Sequence, residues 1–126
     1  MKAVILAGGK GTRLRPYTHV LPKPLMPLGE DDPMPILEVV IRQLARYGFD
    51  DVTIITGYLT ELIETFCGDG RKFGVRIGYR REVAPLGTAG GLTLVDKPDE
   101  PTLVINGDIL TTLDYGAMYE FHRSRG

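Results

Sequence analysis

The apolar run Lys2–Ala7 is the feature that most constrains the fold, because it is short, nearly continuous and ended at once by two glycines. Such a run is typical of a strand buried on both faces of a sheet, which is the usual environment of strands in parallel sheets. Further strands are predicted at Asp51–Thr56, at residues 75–80 and at Thr102–Asn106. In residues 75–80 only alternate positions are apolar, which predicts a strand near an edge of the sheet.

Helical patterns separate these strands. Residues 35–47 predict a helix that is capped at Gly48, and residues 59–67 predict a second helix that ends at Gly68. A weak, glycine-containing helix is predicted around residues 88–95, and a last helix from residue 115 to about residue 124, which Asp114 can cap. The alternation predicts an α/β fold: a doubly wound, mostly parallel sheet with flanking helices, of Rossmann-like type. Ligands of such sheets bind beyond the carboxyl ends of the strands, near the point where the strand order reverses.

The composition excludes several classes of protein. The chain has 126 residues, enough for one compact domain, and its apolar and charged fractions are ordinary for a globular protein. No apolar run is long enough to cross a bilayer, so a membrane partner is not expected. The single cysteine, Cys67, excludes an internal disulfide and predicts a small buried residue on a helix in a reducing compartment, hence the cytoplasm. A formal net charge of −1 argues against a nucleic-acid partner.

The distribution of charge is more informative than its sum. The first acidic residue is Glu30, whereas five basic residues precede it: Lys2, Lys10, Arg13, Arg15 and Lys23. The same stretch holds glycines at positions 8, 9, 11 and 29 and prolines at 16, 22, 24 and 27, which exclude a long helix there. A cationic, glycine-rich loop predicts a small anionic ligand; the alternative is a chance cluster of charges on a solvated loop.

The loop that follows the first strand reads Gly8-Gly9-Lys10-Gly11-Thr12-Arg13-Leu14. Leu14 stands where the dinucleotide fingerprint needs a glycine, and no Gly-Lys-Ser/Thr closes a Walker A pattern. Glycines still allow backbone N–H groups to approach phosphate closely, and the guanidinium of Arg13 suits phosphate oxygens. A tight turn that only permits close packing remains the alternative.

Two further segments carry charged side chains suited to phosphate chemistry. Lys23 lies between Pro22 and Pro24, so a stiff backbone can aim its ammonium at low entropic cost; a proline-rich surface crossing is the alternative. Asp108 follows the strand Thr102–Asn106 and can hold Mg²⁺, since magnesium is usually bound by one or two carboxylates together with substrate phosphates. An ordinary polar turn is the alternative for that segment.

Four segments, in this order, closely resemble the sugar-phosphate nucleotidylyltransferase family, and most of all its mannose-1-phosphate guanylyltransferase branch. They are AGGKGTRLRPYT at residues 7–18, LPKPLMP at 21–27, EVAPLGTAGG at 82–91 and VINGD at 104–108. The resemblance implies a reaction in which a sugar-1-phosphate oxygen attacks the α-phosphorus of a nucleoside triphosphate and pyrophosphate leaves. Such chemistry depends mostly on positioning and on neutralisation of charge.

The resemblance also implies roles for individual residues. Arg13 and Lys23 would be catalytic, Arg13 on the leaving pyrophosphate and Lys23 against the reacting phosphates. Asp108 would ligate Mg²⁺. The nucleotide would be bound by Leu6, Ala7, Gly8, Gly9, Gly11, Thr12, Glu82, Pro85 and Gly87.

Glu82 bears on the choice of base. A carboxylate only accepts hydrogen bonds, and guanine offers two adjacent donors at N1–H and the amino group. Members of the family that take thymidine or uridine triphosphate commonly have glutamine near this position, so Glu82 favours GTP with mannose-1-phosphate. The alternatives are thymidylyl or uridylyl transfer to glucose-1-phosphate, and a non-catalytic nucleotide-binding or scaffold domain. The presence of Arg13, Lys23 and Asp108 together argues against the last of these.

Residues 1–126 are interpreted as the nucleotide-binding, N-terminal part of a nucleotidyltransferase domain. The resemblance implies that a second metal-binding aspartate and the sugar-binding residues lie downstream of Gly126, so this chain alone is expected not to turn over. The sugar and the oligomeric state stay open, a homo-oligomer included. His19 and His122 are interpreted as solvated side chains without a role.

Overall fold

The structure is a computed structural model that describes residues 1–8, 22–29, 31–57, 59–82, 92, 94–95, 100–107 and 111–125. Its strands are β1 (Lys2–Ala7), β2 (Pro27–Leu28), β3 (Met34–Pro35), β4 (Asp51–Thr56), β5 (Arg76–Arg81) and β6 (Thr102–Asn106). Its helices are α1 (Ile36–Arg46), α2 (Thr60–Cys67) and α3 (Tyr115–Arg125). Four strands form the main sheet in the order β5-β4-β1-β6, and all three of its pairings are parallel. The predicted doubly wound parallel sheet is therefore confirmed.

The strand and helix predictions hold closely. The bounds of β1, β4 and β6 are those predicted, and β5 lies at an edge of the sheet as predicted. β5 begins one residue late because the N–H of Val75 donates to the carbonyl of Gly70 at 3.2 Å and so belongs to the preceding turn. The carboxylate of Asp114 accepts a hydrogen bond from the N–H of Ala117 at 2.9 Å, which confirms it as the cap of α3.

Two segments differ from the sequence-based expectation or lie beyond its test. The proline-rich stretch contains an antiparallel pair that was not predicted, β2 with β3, as well as a short 3-10 turn at Lys23–Leu25. The weak helix predicted at residues 88–95 lies mostly outside the described residues. In its described part, the N–H of Val95 donates to the carbonyl of Leu92 at 3.2 Å, which forms a single turn.

The main core lies between the sheet and the helices α1 and α2. Four side chains of α1 are fully buried at helical spacing, Leu37, Val40, Ile41 and Leu44. They pack in one cluster with residues of the sheet such as Ile5 and Ile54. Fully burying one such side chain is worth about 1.5–3 kcal/mol. The opposite face of the central strands is covered as well, since Val4 and Ile55 are also buried. Burial on both faces is what the continuous apolar run of β1 predicts.

Cys67 ends α2 and is buried, as predicted. Burial raises the pKa of its thiol to about 12, so the group stays protonated and behaves as a small apolar residue. The prediction that His122 is solvated is also confirmed, because its side chain is exposed on α3. His19 lies outside the described residues. Within the described part of the chain, no helix is both long and apolar enough to cross a membrane.

Candidate nucleotide site

The strand order places the candidate site. The chain passes outward from β1 to β4 and β5, and then returns to the other side of β1 as β6, so the order reverses between β1 and β6. Ligands of open α/β sheets bind at the carboxyl ends of the strands beside such a reversal. The glycine-rich loop begins at the end of β1 and the Asn-Gly-Asp segment at the end of β6. The predicted phosphate-binding loop and the predicted metal-binding segment therefore both start at the expected edge.

The described residue Gly8 lies directly beside Glu82. A Cβ added at Gly8 would stand 3.3 Å from the carboxyl carbon of Glu82 and 3.3 Å and 3.4 Å from its two oxygens. The backbone of Glu82 is fixed to the neighbouring strand, because its N–H donates to the carbonyl of Thr56 at 2.7 Å. Gly8 and Glu82, which are far apart in the sequence, thus form one small surface. Leu6 and Ala7 lie immediately before it in β1.

The segment that leads to Asp108 is held on both sides. On one side, the N–H of Gly107 donates to the carbonyl of Leu6 at 3.0 Å. On the other side, the side-chain amide of Gln43 in α1 donates to the carbonyl of Thr111 at 2.8 Å. Asp108 itself lies outside the described residues. The nearest described residues on either side of it are anchored, Gly107 to β1 and Thr111 to α1.

Lys23 is positioned by the 3-10 turn that it begins. Pro24 and Leu25, the other residues of that turn, are buried. The carbonyl of Met26, just after the turn, accepts the N–H of Ile36 at 3.2 Å, so the Pro-Lys-Pro segment is fixed to the start of α1. A rigid backbone on both sides of Lys23 is what the flanking prolines predict.

The structure describes five of the predicted site residues. It brings Gly8 and Glu82 together, with Leu6 and Ala7 below them, and it places Lys23 beside the start of α1. The other predicted residues lie outside the described part of the chain: Gly9, Gly11, Thr12, Arg13, Pro85, Gly87 and Asp108. Their roles stay predictions.

The magnesium site also stays a prediction. Among the residues that the structure describes, no group of three or more His, Cys, Asp or Glu side chains could hold a metal ion. The predicted ligand, Asp108, is outside that set. Glu82 is the described carboxylate beside Gly8 at this edge.

Sequence reasoning missed two glycines at this edge. A Cβ on Gly57 would lie 3.1 Å from the carbonyl oxygen of Gly8, and a Cβ on Gly107 would lie 3.0 Å from Cγ2 of Ile5. A side chain at position 57 would require the backbone of Gly8 to move, and one at position 107 would require the side chain of Ile5 to move, each by a few tenths of an ångström. The available signal was their place in the sequence, since each follows a predicted strand directly.

Comparison with known proteins identifies the family. The family model described as nucleotidyl transferase matches residues 2–126. The chain is 39% identical to a UTP–glucose-1-phosphate uridylyltransferase of Synechocystis sp., over 100% of this chain and 35% of the relative. It is 40% identical to a mannose-1-phosphate guanylyltransferase of Mycobacterium tuberculosis, over 97% of this chain and 34% of the relative.

A solved structure from Bacillus anthracis, provisionally named a glucose-1-phosphate thymidylyltransferase, superposes with a TM-score of 0.87 at 32% identity. The match covers 98% of this chain and 50% of that one. The chain thus spans about a third of the length of the two curated relatives, 35% and 34%. On its sequence and its fold, the chain belongs to the nucleotidyl transferase family, among the sugar-phosphate nucleotidylyltransferases that its motifs resemble.

Proposed function

We propose that the protein transfers a nucleoside monophosphate from a nucleoside triphosphate to a sugar-1-phosphate, with GTP and mannose-1-phosphate as substrates. The products are a nucleotide sugar and pyrophosphate. The observation that carries the proposal is the carboxyl group of Glu82 beside Gly8, at the edge of the sheet where ligands of this fold bind. The similarity to a mannose-1-phosphate guanylyltransferase supports the choice of substrates. We place the reaction in the cytoplasm, in keeping with a single, buried cysteine.

Guanine suits Glu82 because the base offers two adjacent donors and a carboxylate offers two acceptor oxygens. A pair of hydrogen bonds of this kind is worth about 1–3 kcal/mol of discrimination against a base that lacks it. Uracil and thymine offer a single N–H between two carbonyl groups, which a carboxylate repels. Gly8 leaves the carboxyl group room on the side of β1, where a side chain would crowd it at 3.3 Å.

The reaction requires one bond to form and one to break at the α-phosphorus. An oxygen of the sugar-1-phosphate attacks the α-phosphorus, and the bond from that phosphorus to the α,β-bridging oxygen breaks, so that this oxygen leaves on pyrophosphate with the electron pair. In this proposal Arg13 holds the departing pyrophosphate, and Lys23 neutralises charge on the reacting phosphates. The backbone N–H groups of Gly9, Gly11 and Thr12 bind the triphosphate, and Pro85 and Gly87 lie against the nucleoside. Mg²⁺, held by Asp108 and phosphate oxygens, would supply further neutralisation.

A second candidate, transfer of a uridylyl or thymidylyl group to glucose-1-phosphate, has support from two of the similar proteins. It predicts no preference for guanine. The two candidates therefore differ in what Glu82 should do, and substitution of that residue separates them.

The test is a calorimetric titration of the chain with GTP, UTP, dTTP and ATP, each with Mg²⁺, repeated on Asp108→Ala and Glu82→Gln. We expect GTP to bind most tightly and both substitutions to weaken it, Glu82→Gln by about tenfold. Glu64→Gln, an exposed carboxylate on α2, is the matched control and should bind as the original chain does. Equal affinity for all four nucleotides would contradict the guanylyl proposal.

Turnover is a separate matter. We propose that residues 1–126 by themselves bind nucleotide without completing the reaction, since they span about a third of the two curated relatives, 35% and 34%; the transfer proposed above would need the further residues that the family resemblance implies. Incubation with GTP, mannose-1-phosphate and Mg²⁺, followed by assay of pyrophosphate, is expected to show none above background. Pyrophosphate that rises with the chain concentration would refute this expectation.

A further inference from the structure

The residues that follow β1, β4 and β5 stand in a row across the edge of the sheet. The three strands end in register, because Ala7 pairs with Thr56 and Thr56 pairs with Arg81. The next residue of each strand is therefore a neighbour of the next residue of the others. These residues are Gly8, Gly57 and Glu82, which we call the edge row, and Gly57 is its middle member.

Gly57 has little free space on the side that faces Gly8. A Cβ added there would lie 3.1 Å from the carbonyl oxygen of Gly8, 3.5 Å from its Cα and 3.7 Å from Cβ of Glu82. A contact of 3.1 Å is shorter than ordinary van der Waals contact, so the neighbour must move by a few tenths of an ångström. The crowded atom belongs to the backbone, which cannot rotate away as the end of a side chain can.

Backbone conformation does not account for glycine at this position. Among the glycines that the structure describes, those with positive φ are Gly29, Gly48, Gly68, Gly70 and Gly74, and Gly57 is not one of them. An L-amino acid could therefore adopt the φ of Gly57 without strain. What a side chain would crowd is the carbonyl oxygen of Gly8, while the Cβ of Glu82 would lie at ordinary contact distance.

The direction of the displacement follows from what holds each neighbour. Glu82 is fixed to β4 by the hydrogen bond of 2.7 Å from its N–H to Thr56, and it is the more distant neighbour of the added Cβ. A methyl group at position 57 would therefore push mainly on the peptide of Gly8. That movement would separate Gly8 from the carboxyl group of Glu82 and shift the start of the glycine-rich loop.

We propose that Gly57 is a positioning residue for nucleotide selection: its lack of a side chain keeps the backbone of Gly8 against the carboxyl group of Glu82. The inference rests on the proposed function, in which Glu82 binds the base and Gly8 begins the phosphate loop. Gly57 touches neither the base nor the phosphates in this account. It acts through the distance between the two residues that do.

The test compares Gly57→Ala with Gly78→Ala. Gly78 lies within β5, and a Cβ added there meets nothing within 4 Å, so it controls for a glycine-to-alanine change in the same sheet. Affinities for GTP and UTP are measured by calorimetry, and the amide resonances of Gly8 and Glu82 by ¹H–¹⁵N spectroscopy of the labelled chain. The ratio of the two affinities is the decisive quantity, since a partly unfolded sample lowers both alike.

We expect Gly57→Ala to lower the GTP-to-UTP affinity ratio by roughly fivefold, because a displacement of a few tenths of an ångström would weaken part of the discrimination for guanine that the carboxyl group of Glu82 provides. The resonances of Gly8 and Glu82 should shift in Gly57→Ala and stay in place in Gly78→Ala. An unchanged ratio in Gly57→Ala would overturn the inference.

Failure of the proposed function has a different signature. If the original chain binds no nucleotide, the proposed function of this chain fails, and the resonances alone decide the role of Gly57. Shifts at Gly8 and Glu82 in Gly57→Ala that are absent from Gly78→Ala would then uphold the positioning role. Equal spectra of the two variants at those residues would overturn it.

Discussion

The two edges of the main sheet are built from different residues. The strands are followed, at the carboxyl edge, by Gly8, Gly57, Glu82 and Gly107. They are preceded, at the amino edge, by Met1, Asp50, Val75 and Pro101. At the carboxyl edge three of the four strands are thus followed by glycine, which is backbone without a side chain, whereas at the amino edge all four are preceded by a residue with one.

Polar contacts at the amino edge link β4 to its neighbours β1 and β5. The terminal ammonium of Met1 lies 3.4 Å from the carboxylate of Asp50, and the guanidinium of Arg76 lies 3.2 Å from that of Asp51. The N–H of Arg76 also donates to the carbonyl of Asp50 at 2.7 Å. These contacts join neighbouring strands and satisfy polar groups within the protein.

The carboxyl edge differs from the amino edge in how closely its backbone segments approach one another more than in its charges. It too has an ion pair, between Arg81 and Glu61 at 3.5 Å. Its distinguishing feature is the edge row, in which Gly57 allows Gly8 and Glu82 to approach each other. Under the proposed function, nucleotide selection is expected to depend on the carboxyl edge, whereas both edges contribute to the stability of the fold. Changes at the amino edge should alter the free energy of unfolding and leave nucleotide selection as it is.

The largest effect is expected from Gly70→Ala, in the turn before β5. Gly70 has φ of +88°, and an added Cβ would lie 2.6 Å from the carbonyl oxygen of Val75 and 2.7 Å from Cγ1 of Ile77. Left-handed backbone costs an alanine about 1 kcal/mol, and overpacking adds about 1–3 kcal/mol. We expect the free energy of unfolding to fall by about 3 kcal/mol in urea titrations, with an unchanged GTP-to-UTP affinity ratio in the folded protein.

Gly74→Ala is the matched control for this prediction. Gly74 also has a positive φ, +78°, but an added Cβ meets nothing within 4 Å. It should therefore lose only the backbone contribution of about 1 kcal/mol. Equal losses in the two variants would show that the crowding at Gly70 has no energetic consequence. A changed affinity ratio in either variant would contradict the separation of the two edges.

The same contrast explains how much of the fold the sequence predicts. The bounds of β1, β4 and β6 follow from short apolar runs, which can be recognised in the local sequence alone. The β2–β3 pair does not, because prolines at Pro27 and Pro35 lack the N–H groups of an ordinary ladder and indicate a loop. That pair exists because the chain folds back to begin α1, which depends on tertiary packing.

The part of the candidate site that follows from sheet topology can be predicted from the sequence. The approach of Gly8 to Glu82 follows from the rule that carboxyl ends of parallel strands meet at one edge. The need for glycine at position 57 does not follow from local sequence. It arises from a contact with Gly8 on the neighbouring strand, and Gly57 has no positive φ that would itself favour glycine. The roles of Arg13 and Asp108 rest on the resemblance and stay predictions.

A smaller effect is expected from Thr56→Val at the carboxyl end of β4. Thr56 is fully buried, and its hydroxyl has no hydrogen-bond partner among the described residues. Valine has nearly the same shape and removes a polar group whose burial without a partner costs about 1–3 kcal/mol. We expect the free energy of unfolding to rise by about 1 kcal/mol. Thr112→Val, at an exposed position, should change nothing; a loss of stability in Thr56→Val would show that the hydroxyl is hydrogen-bonded.

The smallest effects are expected from the ion pairs, and they decide whether charge distinguishes the two edges. Arg76 and Arg81 occupy the first and last positions of β5, and their side chains are 79% and 59% exposed. Exposed pairs of this kind contribute about 0.2–1 kcal/mol and are screened by salt. Arg76→Ala and Arg81→Ala should each lower the free energy of unfolding by about 0.5 kcal/mol, a loss that disappears at about 1 M salt.

Arg81 directly precedes Glu82, so an unchanged GTP-to-UTP affinity ratio in Arg81→Ala would locate selection in the edge row. A ratio that falls in Arg81→Ala and holds in Arg76→Ala would instead mean that the charge of Arg81 takes part in selecting the base.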